Sequence, residues 1–225
     1  MSPREVFPTW RPAQALADGL AREVPPAPDV LRTTGFLRTE IAERIADWYS
    51  SPVAPTTAVL RSYRALECET VRLFAAIERE PAFGGLGVVV NLVRCEVNGG
   101  PARLCAGLRE HRSMTLRTIA SEAPHPLLGG QEGGIVDRLR VVHDVFGHAA
   151  LGLGFDLQSE YATWLQCRAL FSREAHGAAF CELVGATITY IVTGEKPCLR
   201  VNLPPRDLVE ACGGHSRLVE HRIAA

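Results

Sequence analysis

Apolar positions recur every three to four residues in several stretches of the chain, and those stretches predict helices. From Thr34 to Tyr49 the residues Phe36, Ile41, Ile45 and Trp48 fall on one side of a helix. The segment from Ser51 to Thr56, with two prolines, closes it. A longer helix is predicted from Ala58 to Glu80, with Leu66, Thr70, Val71, Phe74 and Ile77 toward the core and Arg61, Arg64, Glu67 and Arg72 toward water. Pro81 ends it. Between Leu86 and Val93 the pattern becomes a short β-branched run bounded by glycine, which favours a strand. The residues from Cys95 to Val97 extend that strand or pair with it, and Gly99-Gly100-Pro101 makes a turn. The stretch from Ala102 to Ser121 fits a short helix and a strand equally well. The segments Val136 to Ala150, Leu157 to Leu170 and Glu174 to Val192 read as helices, and the segment 199–205 reads as a short edge strand. The expected fold class is mainly α: a compact helical domain with a small β appendage.

The first 31 residues contain the clusters PTWRP and VPPAPD, whose prolines resist helix, so 1–31 is expected to be a proline-rich arm laid over the domain or partly disordered. Residues 32–225 are expected to form a single metal-binding catalytic domain. The 24 basic and 25 acidic residues leave a formal charge of −1. With no basic stripe, neither nucleic acid nor a membrane surface is expected as a partner, and a small-molecule substrate is. Seven dispersed cysteines without a C-x-x-C pair suit thiols in a reducing cytoplasm, and no apolar run is long enough for a signal peptide or a membrane span. A cytoplasmic location follows as the expectation. Oligomeric state is left open.

The chemistry concentrates in R-L-R-V-V-H-D-V-F-G-H-A, from Arg138 to Ala149. His143 and His148 offer two imidazoles to a metal. On an ideal helix five steps turn a side chain by about 140° from its starting direction, so the pair meets one ion only through a local distortion. Gly147 is a residue that permits one. Asp144 shares a helical side with His148 and is a candidate ligand or the group that orients an imidazole. Two acidic residues stand downstream. Glu160 opens E-Y-A-T-W-L-Q, and Glu182 sits among Ala178, Ala179, Gly185 and Ala186, where a buried carboxylate needs a partner. Glu182 is the preferred third ligand, with Glu160 and Asp144 in catalytic or orienting roles. Each single residue also has an ordinary structural reading: a core histidine, or a glutamate paired with Arg138 or Arg140. Tyr161, Trp164, Phe171 and Phe180 suit an aromatic substrate wall or plain core packing. Arg138 and Arg140 suit a substrate carboxylate or an outward salt bridge. His111, His125 and His176 are weaker candidates, and His215 and His221 belong to a polar tail.

The H-D-V-F-G-H segment at 143 to 148 resembles the iron-binding sequence of bacterial aromatic amino acid hydroxylases of the phenylalanine hydroxylase type. The resemblance implies Fe(II) held by His143 and His148, with a later glutamate completing the ligand set. The best match for that glutamate is Glu182 in A-F-C-E-L-V-G. The chain departs from the family at Arg140-Val141-Val142, where Glu-Pro-Asp is usual, and at Ala149-Ala150-Leu151, where a proline is usual. A broader set, Y-R-A-L-E-C-E-T at 63 to 70, R-V-V-H-D-V-F-G-H-A and E-Y-A-T-W, resembles a poorly characterised phage and actinobacterial family and draws Glu160 into the site. The expected function is a non-haem Fe(II)-dependent oxygenase that hydroxylates or oxidises a small, aromatic or amino-acid-like substrate with dioxygen and an external reductant. Two alternatives stand beside it: a metal-dependent phosphohydrolase of the His-Asp type, and a metal-stabilised non-enzymatic or phage-related protein.

Overall fold

The structure, a computed structural model, describes residues 4–51 and 54–212. It is mainly helical, with one two-stranded sheet. His215 and His221 lie outside the described residues. In chain order the elements begin with α1 (Arg11–Leu20), α2 (Pro28–Thr33), α3 (Thr39–Ser50) and α4 (Thr57–Glu78). Then come β1 (Val89–Val93), α5 (Gly100–His111), β2 (Ser113–Arg117) and α6 (Ile135–His143), followed without a break by a π-helical segment, Asp144–Ala149. After α7 (Leu157–Arg168) and α8 (His176–Phe180), a second π-helical segment, Cys181–Gly185, leads into α9 (Ala186–Thr193). α10 (Arg206–Cys212) closes the described chain.

The long periodic segments fold as their patterns predict. On α4 the buried positions Val59, Tyr63, Leu66, Thr70, Leu73 and Ile77 recur at three and four residues, and the Thr56 hydroxyl caps the first turn by accepting from the Val59 N–H. Val71, expected on the core side, is exposed, and Leu73 takes that side instead. β1 and β2 pair in parallel, Val89 opposite Ser113 through Val93 opposite Arg117, with α5 as the crossover that a parallel pair requires. The segment 199–205 lies outside the sheet, so the expected edge strand is absent there.

The N-terminal segment corrects an expectation. Its prolines do not exclude helix: α1 and α2 each carry a proline in the first two positions, where the missing N–H would have had no helical partner. Trp10, Ala13, Ala17 and Leu31 are buried in the core. Backbone bonds from Phe7 N to Gly152 O (2.8 Å) and from Trp10 N to Ala149 O (2.9 Å) fix this segment onto the chain just beyond His148.

The helix α7 runs through the middle of the molecule. All ten residues from Gln158 to Cys167 are buried, so it has no polar side. Its polar groups are matched individually, apart from the Gln166 Oε1, which has no hydrogen-bond partner among the described residues. Gln158 accepts from the Phe36 and Leu37 N–H groups and donates to the Leu37 carbonyl, and Asp156 caps the helix by accepting from the Gln158 and Ser159 N–H groups. None of the described helices is long and apolar enough to cross a membrane.

Candidate metal centre

The π-helical turn resolves the spacing problem of the two histidines. A π-helix closes its hydrogen bonds over five residues, so side chains five apart return to nearly the same direction. The Nε2 atoms of His143 and His148 lie 3.0 Å from each other, with the rings edge to face. Gly147 lets this turn press against α7: a Cβ there would stand 2.8 Å from the Thr163 Cβ. One turn before Thr163 on α7, Glu160 brings its Oε2 to 3.1 Å from His143 Nε2 and 3.5 Å from His148 Nε2. Three donor atoms, from α6, the π-helical segment and α7, thus converge on one point.

Beyond His148, Gly152 takes a left-handed conformation (φ 65°) that returns the chain to the histidine. The Leu153 N–H donates to the His148 carbonyl (3.0 Å), and the Leu153 carbonyl lies 3.2 Å from His148 Nδ1. With its proton on Nδ1 and donated to Leu153, His148 presents a bare Nε2 lone pair to the centre. His143 Nδ1 is buried without a hydrogen-bond partner among the described residues, and with the His143 proton there the triangle contains three acceptors: two imidazole nitrogens and a carboxylate oxygen. A proton on His143 Nε2 cannot serve both neighbours fully, whereas one divalent cation satisfies all three. The edges also have the right length. Ligand bonds of about 2.1 Å put neighbouring donors about 3.0 Å apart at right angles and about 3.4 Å apart at the tetrahedral angle.

Electrostatics bind the group together. Burial opposes ionisation of Glu160, but His148 and His143 outweigh it and hold the carboxyl well below its usual range, at about 2. Burial likewise opposes charging of His148, and Glu160, Asp144 and the Leu153 carbonyl reverse that effect and raise its pKa. Asp144 follows His143 directly. One donor atom from each of His143, Asp144 and His148 lies within 4.8 Å of the others. Burial raises the Asp144 pKa, against the opposing pull of the two histidines.

All four residues open on a cavity of about 760 Å³. Its walls include the whole of β2, parts of α5 and α9, Phe155 and Glu182. Phe155 stands edge-on to His148 with ring centroids 4.8 Å apart.

No protein-family model, curated protein or solved structure matches this chain. What the site can do follows from its own donors and cavity.

Glu160 stands where Glu182 was expected. Glu182 lines the same cavity, but its Oε1 accepts from the Tyr63 hydroxyl (2.5 Å) and lies 3.1 Å from His125 Nε2. Of the two arginines, Arg140 lines the cavity, donating to the Arg117 carbonyl (3.2 Å) and to Glu122 (3.5 Å). Arg138 does not line it: its Nε donates to the Gly133 carbonyl, and its guanidinium lies over the Phe74 ring. Tyr161 and Trp164 also point elsewhere. The Tyr161 hydroxyl donates to the Cys212 carbonyl, and Trp164 packs edge-on against Phe180 within the core. No residue of the glycine-rich loop 124–134 lines the cavity.

Two further groups carry more of the site than their place in the sequence indicates. His125, a weaker candidate by sequence, is 2% exposed, and Tyr63 stood out only as the first residue of the Y-R-A-L-E-C-E-T segment. The one signal for His125 was its place between two prolines, Pro124 and Pro126, in a glycine-rich loop.

Proposed function

We propose that this chain is a non-haem Fe(II)-dependent oxygenase acting on a small organic substrate held in the cavity. The observation that carries this reading is the triangle of His143 Nε2, His148 Nε2 and Glu160 Oε2, with its open side on the cavity. Two histidines and one carboxylate on one side of an ion are the donor set typical of non-haem Fe(II) oxygenases. The resemblance of the H-D-V-F-G-H segment to aromatic amino acid hydroxylases supports iron, while Glu160 replaces Glu182 as the favoured carboxylate. Fe(II) bound there would supply the activation of dioxygen, one oxygen atom entering the substrate and the other leaving as water with two electrons from an external reductant. The chain's own contribution is positional. The Leu153 carbonyl fixes the His148 ring, α7 delivers Glu160, and Phe155 covers the edge of His148. Arg140, held between Glu122 and the Arg117 carbonyl, sits at the cavity wall one helical turn before His143.

A second reading, metal-dependent hydrolysis, draws on Asp144, whose nearness to both histidines makes a two-histidine, two-carboxylate set. The two readings part in one experiment. Protein reconstituted anaerobically with Fe(II) and then given dioxygen and ascorbate should consume oxygen, and His143→Ala and Glu160→Ala should abolish the uptake. Release of p-nitrophenol from bis-p-nitrophenyl phosphate under anaerobic Mn(II), without oxygen uptake by the iron form, would favour hydrolysis. An ion with no exchangeable water would instead support a metal-stabilised structural protein.

A further inference from the structure

Glu182 is a buried carboxylate whose hydrogen bonds come from neutral donors. Its side chain is 7% exposed, and its Oε1 takes both bonds, from Tyr63 and from His125. The state of His125 is fixed by its other nitrogen: the backbone N–H groups of Leu127 and Leu128 both donate to Nδ1, at 3.1 and 2.9 Å. A ring that accepts at Nδ1 carries its proton on Nε2 and has no net charge, so it donates to Glu182 without neutralising it. No lysine or arginine pairs with Glu182 among the described residues. Of the basic side chains around the cavity, Arg117 pairs with Glu96, Arg140 and Lys196 pair with Glu122, and Arg103 donates to the Asn98 carbonyl. At the floor of the cavity, Glu160 and Asp144 face the histidines and the proposed ion. Glu182 is left as the carboxylate without a cation, its Oε2 free of hydrogen bonds among the described residues, and it lines the cavity. Burying such a charge is costly unless a partner of opposite sign completes it.

We infer that Glu182 is a substrate-binding site for a cationic nitrogen, a protonated amine, amidine or guanidine, with Tyr63 and His125 as the residues that position its carboxylate. The substrate class deepens the oxygenase reading and rests on it. A cationic group seated on Glu182 anchors one end of the substrate, and the remainder extends through the cavity that Glu182 shares with His143, His148 and Glu160. The second π-helical segment turns Glu182 toward the cavity, as the first turns His148 toward its partner.

The test compares shape-matched probes on the metal-loaded protein: benzylamine and benzamidine against benzyl alcohol and benzoate, with affinities measured by calorimetry. The protein is loaded with Co(II), so that the visible spectrum reports any probe that ligates the metal instead. In the wild type the cationic probes should bind at least about tenfold more tightly than the alcohol, without changing the Co(II) spectrum. In Glu182→Gln, which keeps the shape and removes the charge, that preference should vanish while one ion per chain remains. Equal or tighter binding of the alcohol or of benzoate by the wild type overturns the inference, without recourse to any variant. Loss of the metal in Glu182→Gln also overturns it, by making Glu182 a ligand. Metal counting separates this claim from the one beneath it. A bound ion with no cationic preference removes the site alone, and a cationic preference in protein that takes up no metal removes the metal reading alone.

Discussion

The Nε2 atoms of His143 and His148 stand 3.0 Å apart although five residues separate the two in the chain. The π-helical turn makes this possible, and Gly147 allows that turn to seat against Thr163 of α7, the helix that carries Glu160. Gly147→Ala would place a Cβ 2.8 Å from the Thr163 Cβ, so α7 or the turn must shift. The expected result is a net destabilisation of about 1 to 2 kcal/mol, overpacking exceeding the helix-propensity gain, together with weaker metal binding. Urea denaturation and a metal titration on the same variant check both parts.

Metal should remove the fall in stability above about pH 6.5 that His148 gives the metal-free protein. The folded state lowers the Glu160 pKa, so its stabilisation is present above the unfolded value of about 4.3 and is lost as pH falls toward about 2. The folded state raises the His148 pKa, so its stabilisation is complete below the unfolded value of about 6.5 and is lost as pH rises through the folded one. Metal-free protein should therefore melt at progressively lower temperature above about pH 6.5. Metal binding needs the imidazole lone pairs and releases protons, so the added melting temperature given by metal should grow over the same interval. Thermal melts across pH 5 to 9, with and without Co(II), measure the two slopes.

Tyr63→Phe should destabilise the protein by about 1 to 3 kcal/mol without lowering its metal content. The substitution leaves the buried Glu182 with a single donor, His125, and touches none of the three converging atoms. Chemical denaturation reads the first effect and metal analysis the second.

Asp137 predicts a larger loss. This carboxylate, 1% exposed in the first turn of α6, accepts from the Thr118 hydroxyl (2.6 Å), the Ile119 N–H (2.7 Å) and the Gly133 N–H (3.0 Å). It thereby ties the end of β2 and the glycine-rich loop to the helix that carries Arg140 and His143. Asp137→Ala leaves three donors unmatched, two of them buried, and should cost about 3 kcal/mol or more. Calorimetric melting should place Asp137→Asn between this variant and the wild type.

Much of this architecture is legible in the chain because local pattern is legible: α3 and α4 each have one buried side that their spacing shows, and β1 is a β-branched run bounded by glycine. α7 has no exposed side and hence no period, so the burial of Glu160 beside Gln158, Ser159 and Thr163 could not be inferred from pattern. The N-terminal helices were hidden by their prolines, which start helices as readily as they break them. At the site, the histidine pair was visible as a motif and Gly147 as the residue that permits a distortion. The choice between Glu160 and Glu182 was not visible. Both sit in helical segments, and which carboxylate reaches the histidines depends on how α7 crosses the π-helical turn, a relation between segments that local sequence does not encode.

The most direct measurement is metal stoichiometry after anaerobic Fe(II) reconstitution of the wild type and four variants, His143→Ala, His148→Ala, Glu160→Ala and Glu182→Ala, each checked for folding by circular dichroism. One iron per chain in the wild type and in Glu182→Ala, with loss in the other three, is the predicted result. Full iron binding by both histidine variants, or loss in Glu182→Ala with retention in Glu160→Ala, would contradict the centre described by His143, His148 and Glu160.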